Sequence, residues 1–421
     1  MSALARRLGP LAGIFLASAF MVSRISGMGD WPVDSWPAID ALAHGHLGDY
    51  LSAKAMMGIF STLVQTPFAA AAGEGAQLFA YKLASFPCVL AAGGLGLYLA
   101  SLARARGVSA PGQWLIAGLC VVNPLTAGAL GGGHPEEILT AALAVGAVAA
   151  ATDGRRGWAA ILLGLALASK QWAVIAILPT LMALPGRRMP VAVGALAIAA
   201  VFMLPPLVAS PQAFHEVHDK AANTGGAVTP ESVWYPLATV KTKVVAEQPE
   251  VLVARVHTAP AAVGALSHPL IVLLVFMLPL LLAKRRGGLW LSGGDAMALL
   301  ALLALLRCAL DPVNNIYYLE PLLLALLGWD ALSSRSLPLR GLLGVAVALG
   351  LRQWSLQLDD VSTYNYAYIA LFALAGGMIA NFLWSAKAPA TQPVAPDPEF
   401  FLDEAQISGI EKNSSWPINA L

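Results

Sequence analysis

Residues 158–185 read WAAILLGLALASKQWAVIAILPTLMALP, and the way this stretch divides decides the fold. It is apolar except near its middle, where Lys170 and Gln171 stand. As one helix its roughly 28 residues would run about 42 Å, long for a single crossing of a hydrocarbon core about 30 Å thick and short for two ordinary spans. The flanking charges choose between the options. If the chain turns back near Lys170, then Arg6, Arg7, Arg104, Arg106, Arg155, Arg156, Arg187, Arg188, residues 284–286, Arg335, Arg340 and Lys387 all fall on one side, as expected of cytoplasmic loops. A single long helix would throw Arg187, Arg188 and every later loop onto the other side. Two short helices turning near Lys170 are therefore expected.

Composition sets the solvent. Of 421 residues, 58% are apolar and 12% charged, against about 25% charged in an ordinary soluble domain. A water-soluble core cannot bury so much apolar surface, so lipid must face most of it. The net charge of +1 and the absence of a basic stripe or aromatic platform argue against nucleic acid. Cys88, Cys120 and Cys308 lie in or beside apolar runs without C-x-x-C spacing, which indicates neither a zinc site nor a disulfide framework. The run from Leu8 to Val22 after Arg6 and Arg7 has no convincing cleavage signal and reads as a retained first helix.

The other apolar stretches of spanning length lie near residues 8–25, 78–102, 111–131, 135–152, 190–208, 268–283, 293–310, 316–333, 341–353 and 366–386. With the pair around Lys170 they make an all-α polytopic bundle of about twelve spans, both termini cytoplasmic. Residues 1–386 form the membrane domain, with external segments at 26–77 and 209–267. Within the first, residues 51–72 are apolar but interrupted by Lys54, Gln65 and Pro67, the pattern of an interfacial helix. The second reads as a polar loop with room for a short helix. Residues 387–421, rich in Pro, Asp, Glu, Ser and Asn, read as a disordered cytoplasmic tail. No period of 20–50 residues repeats, so a repeated transporter gains no support.

On this topology the unusual polar residues share one side. Asp30 and Asp34 follow the first helix, and Gly131-Gly132-Gly133-His134-Pro135-Glu136-Glu137 opens the fourth. Lys170 and Gln171 sit in the short turn, with Arg307 and Asp311 through Tyr318 joining two later helices. Ionisable groups at membrane depth cost several kcal/mol unless paired or used. Local alternatives stay open for each. Glu136 and Glu137 suit the positive end of a helix dipole, with His134 as its cap. Asn314 and Asn315 suit a cap, Tyr317 and Tyr318 an interfacial belt. Arg307 and Asp311 have ion-pair spacing, and Asp30 or Asp34 taken alone suits a solvated loop. Their shared placement favours a site.

The outer side of a membrane offers no nucleotide-sugars, so a sugar-transfer enzyme there needs a donor that arrives within the bilayer, such as a polyprenyl-phosphate sugar. Phosphate is already a competent leaving group, so no glycosidase-type general acid is needed. The enzyme needs a carboxylate to take the acceptor's proton, cations for the lipid phosphate and an apolar groove. In this the chain resembles, over residues 8 to about 335, the GT-C superfamily of integral-membrane glycosyltransferases. Within it, the chain is similar to the bacterial mannosyltransferase-like group that uses polyprenyl-phosphate mannose. The resemblance rests on Gly29-Asp30-Trp31-Pro32-Val33-Asp34 through Leu42 and Gly45, on Gly133 through Glu137, on Leu163 through Lys170 to Leu178-Pro179, and on Asp311-Pro312 with Asn314 through Tyr318.

The resemblance implies inverting transfer of a sugar, mannose first, to a glycan, glycolipid or protein acceptor at the outer face of a bacterial inner membrane. It implies Asp34 as base, with Asp30 second. His134, Glu136, Glu137, Lys170, Gln171, Asp311, Asn314, Asn315, Tyr317 and Tyr318 would bind substrate, and Arg307 and Lys82, or Lys170, the phosphate. No cofactor is expected, and the tandem Asp-Asp of some members is missing from the first loop, which weakens the case for a metal. A secondary transporter or lipid flippase, or an assembly subunit of an envelope complex, remains an alternative.

Overall fold

Where proline, glycine and capping residues fall determines how this apolar chain is cut into helices. The computed structural model describes residues 3–386 apart from 55–57, 74, 223–225, 247–251 and 358–359; the expected tail and Lys387 lie outside the described residues. A first long helix, α1 (Ala3–Ser23), is followed by four short ones: α2 (Trp31–Asp34), α3 (Trp36–Ala43), α4 (Leu47–Ser52) and α5 (Ile59–Ala70). Next come α6 (Gln77–Ala105), α7 (Ala110–Leu119), α8 (Pro124–Gly132), α9 (Pro135–Thr152), α10 (Arg156–Ser169), a 3-10 turn at Gln171–Ala176, α11 (Ile177–Ala183), α12 (Arg188–Ala209) and α13 (Pro211–Ala222). A two-stranded antiparallel hairpin, β1 (Thr239–Ala246) and β2 (Leu252–Thr258), precedes α14 (Ala261–Arg286), α15 (Gly293–Leu310), α16 (Glu320–Ser333), α17 (Leu339–Ser355) and α18 (Val361–Ser385).

Seven of these segments are long and apolar enough to cross a membrane: Gln77–Ala105, Ala110–Gly132, Pro135–Thr152, Arg188–Ala209, Ala261–Arg286, Gly293–Leu310 and Val361–Ser385. That is the make-up of a helical integral membrane protein. Their burial ranks them. The apolar window of α9 is 94% buried and that of α15 78%, whereas α12, α14 and α18 have only 22–28% buried. α9 and α15 are therefore the central pair, and α12, α14 and α18 offer apolar flanks to the surroundings. The small side chains of α9, eight of them alanine or glycine from Ala141 to Ala151 on every face, let α6, α10, α11, α15 and α16 pack on it.

The reversal expected near Lys170 is present. Lys170 has extended backbone (φ −150°, ψ 138°) between α10 and the 3-10 turn, and its ammonium reaches the start of α9. α10 begins just after the end of α9, across the turn Asp153–Arg155. At the other end of α11, the Met182 carbonyl accepts from Leu291 N–H, 2.8 Å, next to Gly293, which abuts Thr152 at the end of α9. α10 and α11 thus run in opposite directions, and both distal ends lie by the C-terminus of α9.

The stretch 111–131, read as one helix, is two. Asn123 caps α8, its Oδ1 accepting from Leu125 N–H (2.8 Å) and Thr126 N–H (2.9 Å), with Pro124 at the first helical position. The run 51–72 differs from an interfacial helix that turns its polar face to water. α5 buries Ser61, Thr62, Gln65 and Thr66. Trp31 Nε1 donates to Gln65 Oε1 (3.0 Å), and the Tyr50 hydroxyl bonds Thr62 (2.9 Å). The hairpin β1–β2 was not expected in an all-α chain, although Val240, Lys241, Thr242, Lys243 and Val244 alternate with the two-residue period of a strand.

The helix ends sort into two sets. Asp153, Arg155, Arg286, Asp295, Asp330 and Arg340 share one end, with ion pairs Arg155–Asp153, Arg286–Asp295 and Arg340–Asp330, each 2.7 Å. The segments carrying Asp30, His134, Lys170 and Asp311 lie at the opposite end, where they surround a cavity.

Candidate functional site

The site is built on the N-terminus of α9. Gly133 closes α8 in the left-handed region (φ +87°) and His134 precedes Pro135, so Glu136 and Glu137 occupy the first turn. The first loop is pressed onto this corner. Asp30 N–H donates to the Gly132 carbonyl at 3.0 Å. A Cβ on Gly133 would lie 2.4 Å from the Met28 carbonyl oxygen, and one on Gly29 (φ +48°) 2.1 Å from Gly132. Both positions need the backbone freedom and the empty space that glycine alone provides. α2 follows directly and carries Asp34 to the cavity wall.

Five ionisable groups lock this corner. Lys170 Nζ sits 3.1 Å from Glu136 Oε1 and 3.2 Å from Glu137 Oε1, all three side chains being buried or nearly so. The two carboxylates hold the ammonium well above the ordinary lysine range against the opposing effect of burial. His134 Nδ1 lies 3.1 Å from Glu136 Oε1, Nε2 lies 3.4 Å from Asp30 Oδ2, and its ring stacks on Tyr317 with centroids 5.3 Å apart. Burial alone would lower the imidazole. The hydrogen bond and charge of Glu136, helped by Glu137, outweigh burial and the opposing Lys170, leaving it above its ordinary 6.5. Trp172 Nε1 donates to Glu137 Oε2 at 2.8 Å.

Arg307 closes the opposite wall. Its guanidinium lies over Trp172 (5.0 Å) and Tyr318 (4.5 Å) and donates to the Tyr318 carbonyl at 3.4 Å. Among the described residues it makes no ion pair with Asp311 within 4 Å, despite the i, i+4 spacing. Asp311 is buried, and burial raises its carboxyl even though Arg307 and His268 pull it down. A cation stacked on two rings keeps its N–H edge available to an anion.

The cavity measures about 990 Å³, at the upper end of the roughly 300–1,000 Å³ of small-molecule sites. Asp34, His134, Glu137, Lys170, Arg307, Asp311 and Tyr318 line one part of it. Most of the remaining wall is apolar, with Ile175, Met203 and Pro206, and Val272, Phe276 and Met277 of α14, interrupted by Tyr50, His218 and His268. The cavity therefore joins a polar chamber to an apolar arm along α12 and α14, two of the three helices that bury least of their own surface.

The sequence-derived residues divide three ways. Asp34, His134, Glu137, Lys170, Gln171, Arg307, Asp311 and Tyr318 line the cavity. Asp30, Glu136 and Tyr317 contact those lining groups, with Asn315 Nδ2 donating to the Tyr317 hydroxyl at 3.2 Å. Asn314 and Lys82 are not brought to it. Asn314 is a clamp: its Nδ2 donates to the Glu231 carbonyl (3.0 Å) and the Tyr368 hydroxyl (2.9 Å), and its backbone N–H donates to Thr229 Oγ1 (3.0 Å). It ties residues 229–232 to α18. Lys82 donates to the Ser23 carbonyl at the end of α1, 3.3 Å.

The chain matches no protein-family model and no curated protein.

Sequence reasoning missed Trp172 as a working residue, along with Tyr50, His218 and His268 on the cavity wall. Trp172 had a signal, since it directly follows Lys170 and Gln171. A single histidine in an apolar helix had none. Asp30, Asp34 and His134 each place a potential ligand atom within 4.8 Å of the others. These are donor types suited to a divalent cation, but both nitrogens of His134 already face carboxylates, and ligation would displace one of them.

Proposed function

We propose that this protein is a membrane glycosyltransferase. It moves a sugar, mannose first among candidates, from a polyprenyl-phosphate carrier to an acceptor at the outer face of the membrane, with inversion and with Asp34 as general base. The observation that carries this reading is the two-part cavity: carboxylates and cations at one place, continuous with an apolar arm beside two of the three most exposed helices. A sugar joined through phosphate to a long hydrocarbon has the same division. Orientation follows from charge. The ends bearing Arg104, Arg155, Arg187, Arg285 and Arg340 are read as cytoplasmic under the positive-inside rule, which sets the cavity on the opposite side and gives about twelve crossings, the short pair at Lys170 included.

In this reading the acceptor hydroxyl attacks the anomeric carbon while Asp34 takes its proton. The bond from that carbon to the phosphate oxygen breaks, and its electron pair stays on the phosphate, next to Arg307. Lys170 bridges Glu136 and Glu137 and offsets one of their two charges, so that Glu137 and His134 are held rigid to receive sugar hydroxyls. The energetic demand on Asp34 is ordinary for general-base catalysis, roughly 10²- to 10⁴-fold in rate.

The test uses the full-length protein in vesicles loaded with radiolabelled polyprenyl-phosphate mannose. Transfer of label from the carrier to an acceptor glycan, glycolipid or peptide supports the reading. Label that crosses the bilayer still attached to its lipid would mark a flippase and refute it.

A further inference from the structure

The apolar arm begins at a histidine. His268 lines the cavity on α14, ahead of Ile271, Val272, Phe276 and Met277 on the same wall. Polar groups of this kind are costly in a membrane helix unless they have a partner. Among the described residues the buried Nδ1 of His268 has no hydrogen-bond partner. The Asp311 carboxylate at the end of α15 acts on it electrostatically, and Arg307, stacked on Trp172 and Tyr318, lines the same cavity. His268 thus marks the boundary at which the cavity changes from polar to apolar.

The other cations near the cavity are already engaged. Lys170 holds two carboxylates, and His134 lies between Glu136 and Asp30. His218 has its Nδ1 2.7 Å from the Phe214 carbonyl of its own helix, and Lys82 binds the Ser23 carbonyl away from the cavity. That leaves Arg307, stacked but with no carboxylate ion pair among the described residues, and His268, whose unpartnered Nδ1 is closed off from the cavity, so that Nε2 is the ring nitrogen left to meet a ligand. A phosphodiester presents a delocalised negative charge and several acceptor oxygens, and favours two donors at different angles.

We infer that His268 and Arg307 together form the seat for the donor's phosphate, with the imidazole donating to one phosphate oxygen and the guanidinium to another. The hydrocarbon chain then runs along α14 from Ile271 toward Met277, which lies about 13 Å from His268 at ~1.5 Å per residue. This inference rests on the reading of the cavity as a lipid-phosphate site, and it adds a residue and a direction that the reading does not require.

The test measures binding of farnesyl phosphate and of farnesol, the same chain without the phosphate, to the purified full-length protein in detergent, read from tryptophan fluorescence. Wild type is expected to prefer the phosphate. His268→Ala is expected to weaken farnesyl phosphate binding by roughly 10- to 100-fold, the worth of a hydrogen bond to a charged group, with farnesol affinity unchanged. His268→Gln, which keeps an N–H donor, should restore part of the difference. A wild-type preference that His268→Ala leaves intact, or equal loss of both ligands, would overturn the inference alone. No wild-type preference for the phosphate would instead remove the reading on which it rests.

Discussion

Replacing Lys170 by methionine removes the cation and keeps much of the side chain's volume. In the folded protein its ammonium lies 3.1 and 3.2 Å from two carboxylates, with side-chain exposures of 15%, 0% and 2% for Lys170, Glu136 and Glu137. Without it, two adjacent buried carboxylates face each other, supported among the described residues by His134, Trp172 and the more distant charge of Arg307. Breaking a buried ion pair from one side costs about 3–5 kcal/mol. At ~1.4 kcal/mol per tenfold, that lowers the folded-to-unfolded ratio by roughly 10²- to 10⁴-fold. Relief comes from protonating one carboxylate, so the deficit should shrink as pH falls. The assay is reversible denaturation in mixed micelles of wild type, Lys170→Met and the triple variant with Glu136→Gln and Glu137→Gln. The triple variant should recover most of the loss, since it removes the stranded charges. Lys170→Met within about 1 kcal/mol of wild type, or no recovery in the triple variant, would refute the reasoning.

Three further outcomes follow from the same corner. His134 is held above its ordinary 6.5 in the folded state, so its contribution is fully present below that value and is lost as pH rises through the raised one. Stability should therefore fall as pH climbs above about 6.5, and His134→Gln should flatten that part of the profile. Gly133→Ala forces a left-handed backbone on alanine and sets a Cβ 2.4 Å from the Met28 carbonyl oxygen; it should cost about 1–3 kcal/mol for the strain alone and displace the first loop, read as increased protease cleavage between Ile25 and Trp36. Asn314→Ala removes two donated hydrogen bonds, to Glu231 and Tyr368, at about 0.5–1.5 kcal/mol each. It should raise amide exchange in residues 229–233 with little change at Glu137.

The bundle was legible where charge interrupts hydrophobicity. Lys170 inside an apolar run forces either a buried cation or a turn, and the flanking arginines selected the turn. The convergence of His134, Glu137, Lys170, Arg307 and Asp311 was legible for the same reason, because isolated ionisable groups are too costly to scatter at membrane depth. The apolar arm was not legible. Ile271 and Phe276, which line the cavity, have the same chemistry as Leu280 and Leu281, which are exposed on the same helix, and lipid imposes no polar face from which to read the difference. Asn314 looked like a ligand because an amide near a helix start has several uses, and only the fold shows Glu231 and Tyr368 waiting for it. The inward polar face of α5 escaped notice because its partners, Trp31 and Tyr50, come from short helices whose ends no single residue marks.

The proposed function puts a sugar–phosphate lipid in this cavity with Asp34 beside the acceptor. Its most direct test is the single-turnover rate of mannose transfer from one polyprenyl-phosphate donor by wild type and by Asp34→Asn, with donor binding measured in the same preparations. The account predicts a rate lower by roughly 10²- to 10⁴-fold with donor affinity retained. Transfer at the wild-type rate by Asp34→Asn would contradict it.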